Sequence, residues 1–148
     1  MNNHSDWTWE KQASFPSVLG ASREFLTELL VALHQDRWTP QDIFAVHLSV
    51  EEGLVNAIRH GNGCDSGKRV HVECKLSPRR LFLEITDEGT GFDPAKVPDC
   101  TQQHNWQRPS GRGIMLMRSY MSRVEYTDGG HRLLLEKVRE EKHPNAAG

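Results

Sequence analysis

Asp87-Glu88-Gly89-Thr90-Gly91-Phe92 is the stretch whose reading decides the fold. It closes an alternating run, Arg80 to Asp87, in which Leu81, Leu83 and Ile85 share one face. Asp87 has the same parity, which predicts that it points to the covered face of a sheet rather than to water. A carboxylate placed there must be satisfied, and a ligand's amino group is one way to do so. Gly89 and Gly91 would let a ligand approach the backbone closely. A plain turn after a strand is the competing reading, because Asp and Gly are common in turns. One step upstream, Arg69 to Leu76 alternates too, with Val70, Val72, Cys74 and Leu76 on one face and His71, Glu73 and Lys75 on the other. Ser77-Pro78-Arg79 turns the chain between the two runs, so the pair reads as an antiparallel hairpin with one buried face.

Before the hairpin lies a strongly marked helix. Thr39-Pro40-Gln41-Asp42 offers a cap residue, a proline at the first helical position and a carboxylate at the third. Ile43, Val46, Val50, Leu54 and Ala57 form an apolar stripe, and Phe44, Leu48, Val55 and Ile58 add a second flank. The pattern predicts a helix buried over much of its circumference, with Gly61 as its stop. Glu52 and Asn56 are four apart and stack on one face, and Arg59 and His60 extend that polar strip. Burying a carboxylate and an amide is costly unless they have partners, which a cavity holding a metal or a polar ligand would supply. A solvated helix edge is the alternative. Earlier still, Trp7 to Phe15 reads as a strand. Ser17 reads as the N-cap of a helix carrying Val18, Ser22, Phe25, Leu29 and Leu33.

Downstream, residues 89–110 are loop-like, and a connection that long inside a compact domain is usually functional. Gly111-Arg112-Gly113 precedes a short helix, Ile114 to Met121. Free amides and the helix dipole make such a place a ready anion site. Val124 to Thr127 and His131 to Val138 flank Asp128-Gly129-Gly130, a hairpin signal. Helices and antiparallel strands without a repeating β-α-β order favour an α+β two-layer sandwich, with helices over one sheet face.

Composition bounds the function. The 148 residues read as a single domain, 1–148, with a core from about 17 to 138 and short polar tails. Hydrophobic residues are 36%, charged residues 26% and the net charge −2, which argues against a nucleic-acid binder held by bulk electrostatics. No apolar run has membrane-spanning length, and the N-terminus does not read as a secretory signal. Three scattered cysteines, Cys64, Cys74 and Cys100, fit a reducing cytoplasm better than a disulfide framework. Gly61 to Arg69 imitates a P-loop, but its outer glycines are one residue too far apart and Arg69 stands where Ser or Thr is required. Leu116 likewise occupies the third glycine position of a dinucleotide fingerprint. The 8 histidines show no ligand spacing, and most read as exposed.

Taken in order, these segments resemble the GHKL (Bergerat-fold) ATP-binding superfamily. Glu52-x-x-x-Asn56 is similar to its N box, and Asp87-x-Gly89-x-Gly91 and Gly111-x-Gly113 are similar to its two glycine boxes, with residues 92–110 as the ATP lid. Asn56-Ala57-Ile58-Arg59-His60-Gly61 and Gly111-Arg112-Gly113-Ile114-Met115-Leu116-Met117 most resemble the versions in anti-sigma-factor serine/threonine-protein kinases. The resemblance implies a two-layer sandwich with helices over one face of a mixed, largely antiparallel sheet. It implies ATP and Mg²⁺ as ligands, with Asn56 on the metal, Asp87 accepting from the adenine amino group, and Gly89 and Gly91 shaping the adenine pocket. Gly111 and Gly113 would hinge the lid and contact phosphate, with Arg112 helping to neutralise it, and Glu52 would be the general base. The implied partners are an anti-sigma factor antagonist as protein substrate and a sigma factor, with no direct nucleic acid and no membrane. Small kinases of this type are often homodimers, and the Trp7 to Phe15 strand is a candidate for the interface. A non-catalytic ATP-gated binding module of the same fold is the alternative. A detached histidine-kinase catalytic domain is the third reading, disfavoured because no phospho-acceptor histidine helix precedes the ATP region.

Overall fold

The computed structural model describes residues 6–89 and 110–139, with backbone alone for 110–112. The expected hairpin lies at the centre of the sheet. Strand β2 (Arg69–Leu76) and strand β3 (Arg80–Asp87) pair antiparallel, with Val70 opposite Asp87 and Leu76 opposite Leu81. Every second residue of both strands, from Val70 to Leu76 and from Leu81 to Asp87, is buried on one face. This is the direct consequence of side chains alternating across a pleated strand.

Strand β1 (Trp9–Pro16) adds to the outer edge of β2, strand β5 (Arg132–Val138) to β3, and strand β4 (Arg123–Thr127) to β5. The order is β1-β2-β3-β5-β4, and every neighbouring pair is antiparallel, so no parallel pairing occurs among the described strands.

Helices α1 (Arg23–Gln35), α2 (Pro40–Asn56) and α3 (Ser110–Tyr120) are the second layer. Helix α2 starts as its sequence predicts: Thr39 Oγ1 accepts from the Asp42 N–H at 3.1 Å, and Pro40 occupies the first turn. Its Val46, Val50 and Leu54 join Leu29 and Leu33 of α1, Met117 of α3, and Leu83, Ile85, Leu133 and Leu135 of the sheet in one core. The helix comes closest to the sheet at Gly53, where a Cβ would lie 2.7 Å from Leu133 Cδ2 and 3.1 Å from Ile85 Cδ1. After Asn56 the chain forms a π-helical turn, Ala57–Gly61, and stops at the glycine expected to end it. The wider turn buries Ala57, Ile58, His60 and Gly61 together, and such turns often occur at functional sites.

Four expectations are corrected. Ser17 does not cap α1, which begins only at Arg23. Its hydroxyl donates to the Lys68 carbonyl at 2.8 Å and accepts from Asn62 Nδ2 at 2.6 Å, while its backbone N–H also bonds Lys68 O, so the chain is still following the sheet edge. Val18, placed on the buried stripe of that helix, is exposed. Phe44 is 56% exposed rather than part of a buried flank, and its ring packs edge-on against Tyr120. Cys74 is a buried free thiol whose pKa is pushed up by burial, but Cys64 is disulfide-bonded, against the expectation of unpaired thiols. No helix among the described residues is long and apolar enough to cross a membrane.

The closeness of α2 to the sheet rests on Gly53 having no side chain. Gly53→Leu forces apart the helix and the Ile85–Leu133 pair, and is expected to cost about 1–3 kcal/mol by overpacking, read as a lower urea midpoint at unchanged slope.

Candidate functional site

Asp87 ends β3 on the helix-covered side, where strand parity predicts it, with a side chain only 3% exposed. Two glycines build its seat. A methyl group at Gly61 would overlap the Asp87 carboxylate, and one at Gly89 would overlap the Gly61 carbonyl oxygen. The π-helical turn and the chain leaving β3 therefore touch backbone to backbone. Asn62 ties this contact together. Its Oδ1 accepts from the Glu88 N–H at 2.8 Å, and its Nδ2 donates to the Arg69 carbonyl at 2.9 Å and to Ser17 Oγ.

Two donors converge on Asp87 Oδ1: the Gly89 N–H at 3.0 Å and the His131 ring at 3.0 Å through Nδ1. The Asp87 N–H in turn bonds the His131 carbonyl at 3.0 Å. Burial raises the Asp87 pKa above the usual carboxylate value. The hydrogen bonds from His131 and Gly89 oppose that shift, as do the charges of His131 and Lys68.

Glu52 and Asn56 share a face of α2, as their spacing requires. Asn56 is 2% exposed, and its Nδ2 donates to the Tyr126 hydroxyl at a long 3.4 Å. Asn56 Oδ1 and Glu52 Oε1 are both buried without a hydrogen-bond partner among the described residues. Burial raises the Glu52 pKa, the neighbouring Glu51 charge adds to the rise, and Arg59 opposes it. Tyr126 of β4 links the two carboxylates. Its phenol is pushed up to about 12, first by burial, with the charges of Glu52 and Asp87 adding and Asn56 and Arg118 opposing. Glu52, Asn56, Tyr126 and Asp87 thus belong to one electrostatic neighbourhood, although they come from a helix and two strands that are not adjacent.

An unpartnered buried amide oxygen is a hard ligand suited to a cation such as Mg²⁺, which needs only one or two protein oxygens when a phosphate supplies others. An unpartnered carboxylate oxygen with a raised pKa is an acceptor for a proton near neutral pH. Both groups fit a magnesium–phosphate ligand, and the buried oxygens carry that fit. Among the described residues no cluster of three or more His, Cys, Asp or Glu suits a metal.

The downstream glycines lie differently from expectation. Helix α3 already begins at Ser110, so Gly111, Arg112 and Gly113 form its first turn rather than precede it. The first amides of a helix have no partner within the helix itself, which keeps this turn a candidate anion site. Gly91 and the 92–109 part of the expected lid lie outside the described residues. A shallow depression of about 380 Å³, lined by Gln12, Ser14, His71, Glu73, Glu84 and Thr86, opens on the other face of the sheet. Glu84 and Thr86 alternate with Ile85 and Asp87, so this depression faces away from the helices and contains none of the expected site residues.

Three participants escape the sequence reading. Asn62 sits inside the false P-loop, and only its buried contacts reveal its role as a tie. Tyr126 alternates with Val124, which was a signal for an inward-facing side chain. His131 directly precedes the last strand and, like buried His60, departs from the exposed reading given to most histidines.

Comparison with known proteins bears on this arrangement. The family described as "Histidine kinase-like ATPase domain" matches residues 15–137. The serine/threonine-protein kinase BtrW of Bordetella bronchiseptica is 29% identical over 105 residues, covering 68% of this chain and 74% of its own. The anti-sigma F factor of Clostridium acetobutylicum is 32% identical over 105 residues, covering 67% and 72%. That of Clostridium novyi is 30% identical over the same length, covering 67% and 73%. The crystal structure of the RsbU and RsbW domains of a Mycobacterium tuberculosis protein superposes with a TM-score of 0.60 at 16% identity. It covers 89% of this chain, which spans only 32% of that larger one, and it supports the fold alone.

The tie at Asn62 is directly testable. Asn62→Ala leaves the Glu88 N–H and the Arg69 carbonyl without their partner, and is expected to lose about 1–3 kcal/mol in urea unfolding. A loss within error of zero would show that water replaces the amide and that the tie is not structural.

Proposed function

The chain belongs to the histidine kinase-like ATPase family, and on that premise we propose that it is an ATP-dependent serine/threonine-protein kinase of the anti-sigma-factor type. It acts in the cytoplasm on a separate antagonist protein and holds a sigma factor through partner switching. The single observation that carries this reading is a pair of buried oxygens on one face of α2, Glu52 Oε1 and Asn56 Oδ1, that have no hydrogen-bond partner among the described residues. A site that only binds nucleotide has no need of a buried carboxylate with a raised pKa. The names borne by BtrW and by the anti-sigma F factors support the same assignment.

In this reading Asn56 Oδ1 holds Mg²⁺, which supplies neutralisation of phosphate charge. Asp87 receives the adenine amino group and Gly91 shapes its pocket, while Gly89, packed against the Gly61 carbonyl, seats the carboxylate. The first turn of α3, with Gly111, Arg112 and Gly113, turns its amides toward phosphate. Glu52 accepts the proton of the Ser or Thr hydroxyl as that oxygen bonds the γ-phosphorus and the bond to the ADP oxygen breaks. Phosphoryl transfer asks mainly for positioning and charge, so a fixed carboxylate and a fixed amide are what the protein has to provide. The whole chain is one such domain, and a homodimer through the β1 edge is part of the same proposal.

Transfer of labelled phosphate from ATP to candidate antagonists tests it. Glu52→Gln is expected to keep ATP binding while transfer falls about 10²–10⁴-fold, the usual contribution of a general base. Asn56→Ala is expected to lose the magnesium dependence of ATP binding. Transfer that survives Glu52→Gln removes Glu52 from the mechanism. Binding of ATP without transfer to any antagonist selects a nucleotide-gated binding module instead.

A further inference from the structure

We propose that His131 sets the base preference of this site: its ring N–H holds Asp87 as a pure acceptor, so that a 6-amino purine is taken and a 6-oxo purine refused. The inference rests on the reading of Asp87 as the group that contacts the base, and it concerns a residue outside the N box and both glycine boxes.

The geometry that carries it is local and redundant. The Gly89 N–H can only donate, so Asp87 Oδ1 accepts from it, and the His131 nitrogen lies 3.0 Å from the same oxygen, where the ring's Nδ1–H form donates to it. Both donors address Oδ1, and neither engages Oδ2, which lies over Gly61 where no side chain intervenes. The carboxylate is thereby oriented as well as charged. A second bond, from the Asp87 N–H to the His131 carbonyl, fixes the two residues to each other through the backbone. The turn that delivers the histidine is itself held in an unusual shape, with φ of 60° at Asp128, 69° at Gly129 and 96° at Gly130.

The chemical consequence follows from protonation. A carboxyl group this buried drifts toward its neutral form, and a neutral acid presents an O–H donor. An O–H donor complements the carbonyl of a 6-oxo purine, whereas an ionised carboxylate repels it and accepts from a 6-amino group. The hydrogen bond from His131 is the largest influence opposing neutralisation of Asp87. His131 is a positioning residue, because it acts on the base only through Asp87.

The test is a titration of the full chain with Mg-ATP and with the 6-oxo analogue Mg-inosine triphosphate. Wild type is expected to prefer ATP. His131→Leu keeps the backbone bond but removes the ring donor. It should weaken ATP binding by roughly tenfold or more, the worth of one charge-assisted hydrogen bond, and collapse the preference over inosine triphosphate. His131→Asn, whose Nδ2–H is attached at the same point as the ring Nδ1, should restore most of the preference. His131→Ala is measured in parallel, so that a folding failure of one variant does not leave the ratio unread. Equal weakening of both nucleotides in the truncated variants, with the ratio unchanged, means a merely structural histidine and overturns the inference while the nucleotide site stands. Unchanged ATP binding overturns it in the same way. A wild type that binds neither nucleotide overturns the nucleotide reading and this inference with it.

Discussion

The contact between the backbones of Gly61 and Gly89 is the constraint on which the site depends. It brings the π-helical end of α2 against the chain leaving β3 with no side chain between them. A residue with a Cβ at either position would hold these segments apart. Asp87 would then lose the floor beneath its carboxylate. Asn62 works beside this contact. By bonding Glu88, Arg69 and Ser17 at once, it joins the ends of β1, β2 and β3 to the end of the helix. Buried polar groups are tolerated when every donor and acceptor is matched, and here the matching is nearly complete.

The site itself obeys the opposite rule. Glu52 Oε1 and Asn56 Oδ1 find no partner among the described residues, a short way from a network in which Asn62 is fully engaged. Leaving such groups unmatched costs of order 1–3 kcal/mol each, which a well-packed domain can absorb when a ligand later supplies the partner. The contrast at one helix end is between groups matched by the fold and groups that the described residues leave unmatched. Tyr126 marks the boundary, since its hydroxyl touches Asn56 while its phenol feels both Glu52 and Asp87.

Much of this was legible in the chain. The bounds of β2 and β3, the inward turn of Asp87, the capped start of α2 and its stop at Gly61 all follow from local rules of period, capping and glycine placement. The start of α1 was not legible. Ser17 has the chemistry of a cap, but its hydroxyl is engaged by Lys68 and Asn62, which are remote in the chain and meet it only through the tertiary fold. Phe44 misled for a related reason. An apolar residue beside a buried stripe is not itself buried unless neighbours cover it, and Phe44, in edge-on contact with Tyr120, stays 56% exposed.

By itself, the sequence determined which side chains share a face, because strand and helix periods are properties of the chain's own geometry. It also determined that Glu52 and Asn56 would stand together and that Asp87 would turn inward. Tertiary structure alone decided what those residues meet. The last hairpin is plain in the sequence, but nothing local says that β5 rather than β4 would lie against β3. That choice carries the turn before β5 to the end of β3, so His131 reaches Asp87, and it leaves Tyr126 of β4 facing Asn56. Periodicity acts between neighbours in the chain. Partnership across a sheet is set by strand order, which depends on how all the apolar faces are buried at once.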